Sequence, residues 1–134
     1  MLNPTYRCSL EADLNWRRLC RIYALGGDGV HGQNWAERAL GKQAHMEVSD
    51  LGTDERLTYI ACQSALVMLS KSGSATERLV SKLARRRLTG HGVREMERKH
   101  GIDAERGKEL FEGAKELLWY FTSPDPVGPP ELPW

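Results

Sequence analysis

Apolar residues recur along much of the chain at intervals of three and four residues, which is the spacing of an amphipathic helix. This spacing predicts a helix over residues 10–25, ended by the glycines within 26–29. A second helix is expected over residues 53–70, with Thr53 as its N-cap. Because this helix is broadly apolar, we expect it to be central and buried. The face that we expect it to bury consists of Leu57, Ile60, Ala61, Ser64, Ala65, Val67 and Met68.

The helical pattern continues through the C-terminal half of the chain. Thr76 is expected to cap a basic helix over residues 77–88. A short helix over 92–99 and a long helix over 104–121 follow, and Asp103 is expected to cap the long one. In the middle of the chain, Asn34 is expected to cap one more short helix, over residues 35–40.

The last thirteen residues, 122–134, contain five prolines. Proline lacks the N–H that a helix interior needs, so we expect an extended tail in which Leu132 and Trp134 either dock or fray. No strand and no internal repeat is indicated. The predicted fold is therefore all-α: a compact helical domain over residues 1–121, with a helix-turn-helix at about 75–121, and a proline-rich extended tail.

Composition narrows the class of protein further. The chain is 40% hydrophobic and 28% charged, as soluble globular domains are. The sequence has no apolar run of membrane-spanning length and no signal-peptide pattern at its start, so we expect a cytoplasmic protein without membrane contact. Cys8, Cys20 and Cys62 are expected to be free thiols. Neither they nor the histidines show metal-ligand spacing, and catalytic motifs are lacking, so we expect no cofactor and no enzyme.

Charge is distributed unevenly along the chain. Residues 71–99 contain nine basic and three acidic residues, a net charge of +6 against +1 for the whole chain. Such a basic segment within a nearly neutral protein favours a surface that faces a polyanion, although an ordinary solvated helix face would show the same charges.

The sequence LTGHGVREMERKHGIDAERGKELF, residues 88–111, has the pattern of a helix-turn-helix. Val93 and Met96 form an apolar pair on the first helix. Gly101 stands where the turn needs a left-handed backbone. Ile102 fits a core contact just after the turn, and Asp103 starts the second helix.

Two residues depart from this pattern. Glu97 occupies a position where the two helices come closest and a small residue is usual, and Gly107 occupies one that is usually aliphatic. The departures predict a non-standard contact: either Gly107 allows a very close approach, or Glu97 turns to the surface.

Basic and polar side chains around the motif are the candidate DNA contacts. Most of them suit phosphate contacts, which position a protein on DNA without reading its sequence. Arg106 is the best candidate for a base contact, because its forked donors match guanine; pairing with Glu109 or Glu105 at the surface is the alternative. The full set is Arg85, Arg86, Arg87, His91, Arg94, Arg98, Lys99, Glu105, Arg106 and Lys108.

Three consecutive segments, TDERLTYIACQSALVMLS, ERLVSKLARRRLTG and VREMERKHGIDAERGKELFEGAKELL, carry a family resemblance over residues 53–118. In this order they resemble phage late-gene antitermination proteins of the Q type found in phage 21. More distantly, they are similar to the promoter-reading C-terminal domain of sigma factors. The resemblance implies a factor in the host bacterial cytoplasm that binds double-stranded DNA near a late promoter, as one copy or as two copies on repeated sites. It also implies that the factor engages bacterial RNA polymerase and carries it through terminators.

Two other interpretations stay open at this stage. The pattern also resembles the Mor-type phage transcription activators, which share an apolar and acidic first helix followed by a glycine turn. A small phage protein that binds and inhibits a host protein is the other alternative, since the proline-rich tail and the tryptophans suit protein contacts.

Overall fold

The structure, a computed structural model, describes residues 5–26, 52–124 and 128–134. Within these ranges the chain forms five α-helices and no strand, which confirms the all-α class for this part of the chain. The helices are α1 Leu10–Gly26, α2 Thr53–Ser70, α3 Ala75–Leu88, α4 Arg94–Lys99 and α5 Ala104–Thr122. The helix predicted over 35–40, with its cap Asn34, lies outside the described residues.

Side-chain caps start three of the described helices, including α1, where the Ser9 hydroxyl accepts the Ala12 N–H at 3.2 Å. Asp103 has an extended backbone and its carboxylate accepts the N–H three residues later at 2.8 Å, as predicted for α5. The cap predicted at Thr76 is wrong: Ser74 caps α3, because it is the residue whose extended backbone directs its hydroxyl at the N–H three residues on. The cap predicted at Thr53 is also wrong, since Thr53 is already helical and Gly52 precedes it without a side-chain cap.

Helices α3 and α4 end with the same turn. Gly90 has a φ of +81° and Gly101 a φ of +70°, a region that residues with a Cβ rarely adopt. After each glycine, the next N–H donates to the carbonyl five residues earlier, at 2.8 Å in both cases. The left-handed turn predicted at Gly101 is thereby confirmed.

The core lies between α1, α2, α3 and α5, with Val93 contributed from the loop before α4. Ser81 joins two of these helices within it, since its hydroxyl donates to the Leu66 carbonyl at 2.7 Å. The α1 tryptophan, Trp16, is part of the core and meets Phe111 of α5 edge to face at 5.1 Å. The core residues are Trp16, Leu19, Tyr23, Cys62, Ala65, Leu66, Val80, Leu83, Ala84, Leu88, Val93, Leu110, Ala114 and Leu118.

Our prediction of the buried face of α2 is wrong at most of its positions. Leu57, Ile60, Val67 and Met68 are 44–61% exposed. The buried side of α2 is instead the opposite one, formed by Thr58, Cys62, Ala65, Leu66 and Leu69. Both sides of this helix are apolar, so periodicity predicts the helix correctly without identifying the side that meets α1, α3 and α5.

A buried lysine joins α5 to α1. The Lys115 ammonium lies 3.0 Å from an Asp13 carboxylate oxygen and also pairs with Glu112. Burial opposes the charged form, but the hydrogen bonds to these two carboxylates outweigh it and raise the pKa of Lys115. We call these three residues the Lys115 cluster.

The last described residues, 128–134, contain no helix and return to α5. The Trp134 ring lies against Gly113, where an added Cβ would come within 2.9 Å of ring atom Cη2. Tyr6, near the other end of the chain, donates from its hydroxyl to the Glu131 carbonyl at 2.7 Å. Trp134 therefore packs on the domain, one of the two alternatives expected for it.

Candidate nucleic-acid interface

The two helices of the predicted motif, α4 and α5, are joined by a four-residue turn, and we refer to them together as the α4–α5 unit. Val93 is buried, and Met96 and Ile102 are partly buried against the core. These are the contacts that the sequence predicted on either side of the turn. They fix the short helix α4 to the domain, even though six residues are too few for a helix to be stable alone.

Glu97 and Gly107 are in direct contact between α4 and α5. Glu97 is only 3% exposed, so the alternative in which it turns to the surface is wrong. A Cβ on Gly107 would overlap the Glu97 carboxylate, approaching within 2.9 Å of its Cδ atom. The glycine provides the space that this carboxylate occupies, which explains both departures from the usual pattern as one close contact.

A half-buried arginine lies on the other side of this contact. Arg87 places its guanidinium 4.2 Å from the centre of the Phe111 ring, a cation–π arrangement. Burial lowers the pKa of Arg87, and the nearby charge of Glu97 partly offsets that effect. Arg87 thus supports the packing of α3 against α5, in addition to any contact with a ligand.

The other candidate residues of the α4–α5 unit lie at the surface. Arg98, Lys99, Glu105 and Lys108 are exposed, and none of them forms an ion pair or side-chain hydrogen bond with another described residue. Arg94 is exposed too, and pairs loosely with Glu97 at 3.3 Å. This surface therefore presents exposed cationic side chains from the end of α4 and the first turns of α5.

Three candidates cluster at the turn that precedes α4. Arg86 donates from Nε to the Gly92 carbonyl at 2.9 Å, and His91 Nδ1 lies 2.9 Å from the Thr89 hydroxyl. Arg85 is half-buried on the same turn of α3. These contacts hold the loop before α4 in place while leaving each side chain partly in solvent.

Arg106, the candidate base contact, is engaged by the C-terminal residues. Its Nη1 donates to the Pro133 carbonyl at 2.9 Å and lies 3.6 Å from Glu109. The predicted pairing with Glu109 is confirmed. Nη1 of Arg106 is therefore occupied by the Pro133 carbonyl in this arrangement.

A surface cleft joins Arg106 to three further residues, Arg78, Lys82 and His100, that we did not select from the sequence. It encloses about 410 Å³ between α3 and the start of α5, over a floor that includes Leu79, Ile102 and Leu110. The sequence signal for these residues was their place within or beside the basic segment 71–99. The basic side chains lining the cleft are Arg78, Lys82, His100 and Arg106.

Other kinds of site find little support in the described residues. No group of three metal-ligating side chains occurs among them, and no described helix is long and apolar enough to cross a membrane. Burial raises the pKa of the Cys20 thiol to about 11, which keeps it in the unreactive protonated form at neutral pH.

Comparison with family models, with curated proteins and with solved structures finds no match to this chain.

Proposed function

We propose that this protein is a DNA-binding transcription antitermination factor that engages bacterial RNA polymerase near a phage late promoter and promotes readthrough of terminators. The observation that carries the proposal is the α4–α5 unit: a short helix, a glycine turn and a capped second helix. Around the turn, Arg98, Lys99 and Lys108 are exposed and have no ion-pair partner among the described residues. A unit of this kind can place the start of α5 in a DNA groove while α4 crosses the backbone.

The charges of this surface fit such a placement. Arg98 and Lys99 end α4, and Lys108 lies on the second turn of α5, so all three can reach phosphates on either side of a groove. Lys82, in the adjoining cleft, extends the same positive surface. A phosphate backbone that follows this surface would meet cations contributed by three helices.

Sequence reading by Arg106 would follow release of the C-terminal residues. The Trp134 ring contributes packing alone to this docking, because its buried Nε1 has no hydrogen-bond partner among the described residues. An unsatisfied buried N–H costs about 1–3 kcal/mol, which weakens this docking. Exchange of the Pro133 carbonyl for a guanine edge would then keep the Arg106 guanidinium bonded throughout.

The proposal predicts a direct effect on transcription. Purified protein, added to RNA polymerase on a template with its own phage's late promoter and a terminator, should raise readthrough. The double variant Arg98→Gln/Lys99→Gln should lose most of this effect because it removes two candidate phosphate contacts. Arg21→Gln, which removes one exposed cation from α1, is the control and should retain it. Unchanged readthrough with the unmodified protein would contradict the proposal.

The inhibitor interpretation predicts a different result in the same experiment. A host-protein inhibitor needs exposed aromatic anchors, but Trp16 lies in the core. Such a protein would leave readthrough unchanged and show no affinity for duplex DNA at low salt. The Mor-type interpretation predicts more initiation at a promoter, with unchanged readthrough per initiated transcript.

A further inference from the structure

One apolar surface of the domain takes no part in the DNA-binding proposal. It is the outer face of α2, where Leu57, Ile60, Val67 and Met68 leave 44–61% of their surface in solvent. Spacings of three and four residues place them in one line along the helix. We call the face formed by Leu57, Ile60, Ala61, Ser64, Val67 and Met68 the α2 stripe.

The α2 stripe has the size of an interaction surface. It extends about 16 Å along the helix axis, since each residue adds about 1.5 Å. Its four large side chains expose on the order of 400 Å² of apolar area, comparable with the largest apolar patch of many monomers, which is often functional. Burial of this area in a complex would be favourable.

The order of large and small residues suits a second copy of the same helix. Leu57 and Ile60 lie at one end, Val67 and Met68 at the other, and the small residues Ala61 and Ser64 between them. If two α2 helices pack antiparallel about a two-fold axis, the end of one copy with Leu57 and Ile60 meets the end of the other copy with Val67 and Met68. The small central residues face one another and allow close approach, as a self-complementary interface requires.

Charge at the two ends favours the antiparallel orientation. Asp54 lies in the first turn of α2, and Lys71 directly follows its last residue. Both are exposed. Antiparallel packing places each Asp54 beside Lys71 of the second copy, whereas parallel packing places like charges together. Antiparallel packing also brings the opposite ends of the two helix dipoles together.

We propose that the α2 stripe is the interface of a homodimer in which the two α2 helices pack antiparallel about a two-fold axis at the level of residues 61–64. The inference is independent of the proposed function, because it rests on α2 alone. The stripe provides about half of the roughly 800 Å² per partner of a standard interface. The dimer should therefore be in concentration-dependent equilibrium with the monomer.

Sedimentation equilibrium of the full chain between about 1 µM and 1 mM tests for this equilibrium. The unmodified protein should shift from monomer to dimer across the range. Ile60→Asp should abolish the dimer, because it places one charge in each of the two apolar ends of the contact. Leu10→Asp is the matched control: Leu10 is even more exposed but lies on α1, so the dimer should persist. A monomer at every concentration, or equal effects of the two substitutions, would overturn the proposal.

Charge reversal tests the orientation. Asp54→Lys places like charges at both ends of the dimer and should weaken it on the order of tenfold. The double variant Asp54→Lys/Lys71→Asp restores opposite charges and should recover affinity to within about threefold of the unmodified protein. A loss caused by damage to the helix terminus would not be rescued by the second substitution, so failure of rescue would overturn the antiparallel arrangement.

Discussion

A methyl group added at Gly107 tests the contact that distinguishes the α4–α5 unit from the usual helix-turn-helix pattern. In Gly107→Ala, the new Cβ would overlap the Glu97 carboxylate, which is almost completely buried. The carboxylate would have to move away from Arg94 and from the cavity that it shares with Arg87. The substitution therefore opposes packing at the point where α4 meets α5.

Two effects of opposite sign determine how much Gly107→Ala changes the free energy of unfolding. Overpacking in a filled interior costs about 1–3 kcal/mol. Alanine in place of glycine within a helix stabilises the helix by about 1 kcal/mol. We expect Gly107→Ala to lower the free energy of unfolding by about 1 kcal/mol in the unmodified protein.

The sign should reverse when the carboxylate is absent. In the Glu97→Ala background nothing blocks the new methyl group, so Gly107→Ala should raise the free energy of unfolding by about 1 kcal/mol. The coupling between the two sites is then about 2 kcal/mol, within the range that contacting residues show.

Urea denaturation followed by far-ultraviolet circular dichroism measures all four proteins of this cycle. Gly73→Ala is the control, since Gly73 is exposed and a Cβ there has nothing within 4 Å. Its effect should be the same, within about 0.5 kcal/mol, in both backgrounds. An effect of Gly107→Ala with the same sign and size in both backgrounds would refute the reasoning.

Three further predictions concern the turn, the tail and the buried lysine. Gly101→Ala should destabilise the domain by about 1–2 kcal/mol in urea denaturation, because its φ is +70°; a neutral effect would contradict this. Gly113→Ala should displace Trp134 and shift tryptophan emission to longer wavelength, with no shift in a Trp134→Ala background. The carboxylates of the Lys115 cluster have lowered pKa values, so their contribution to the free energy of unfolding is present above about pH 4.5 and is lost as pH falls through their pKa values in the folded protein. Lys115→Met should reduce this acid sensitivity. An unchanged dependence of the free energy of unfolding on pH would contradict the prediction.

The sequence predicts the helices well because their limits are local properties. Asp103 and Gly101 define the start of α5 and the end of α4 through their own backbone and side-chain geometry. Apolar spacing identifies each helix interior, because it depends only on the period of the helix. At Thr76, one of the two positions where a cap was predicted wrongly, another hydroxyl residue two positions earlier satisfied the same N–H requirement.

The sequence pattern does not determine which residues from different helices contact one another. The two sides of α2 are both apolar, and only the positions of the neighbouring helices decide which one is buried. Glu97 and Gly107 each depart from the expected pattern, but only the structure shows that one accommodates the other. The engagement of Arg106 by Pro133 likewise joins residues far apart in the chain.

Duplex binding as a function of salt concentration tests the central claim most directly. The fluorescence anisotropy of a labelled random-sequence duplex should show binding whose log affinity falls linearly with log salt concentration. Arg98→Gln/Lys99→Gln should make this slope shallower by roughly 1–2, because two fewer phosphates would be contacted, and Arg21→Gln should leave it unchanged. Absence of duplex binding at low salt, or a slope that Arg98→Gln/Lys99→Gln leaves unchanged, would contradict a DNA-binding surface at the α4–α5 unit.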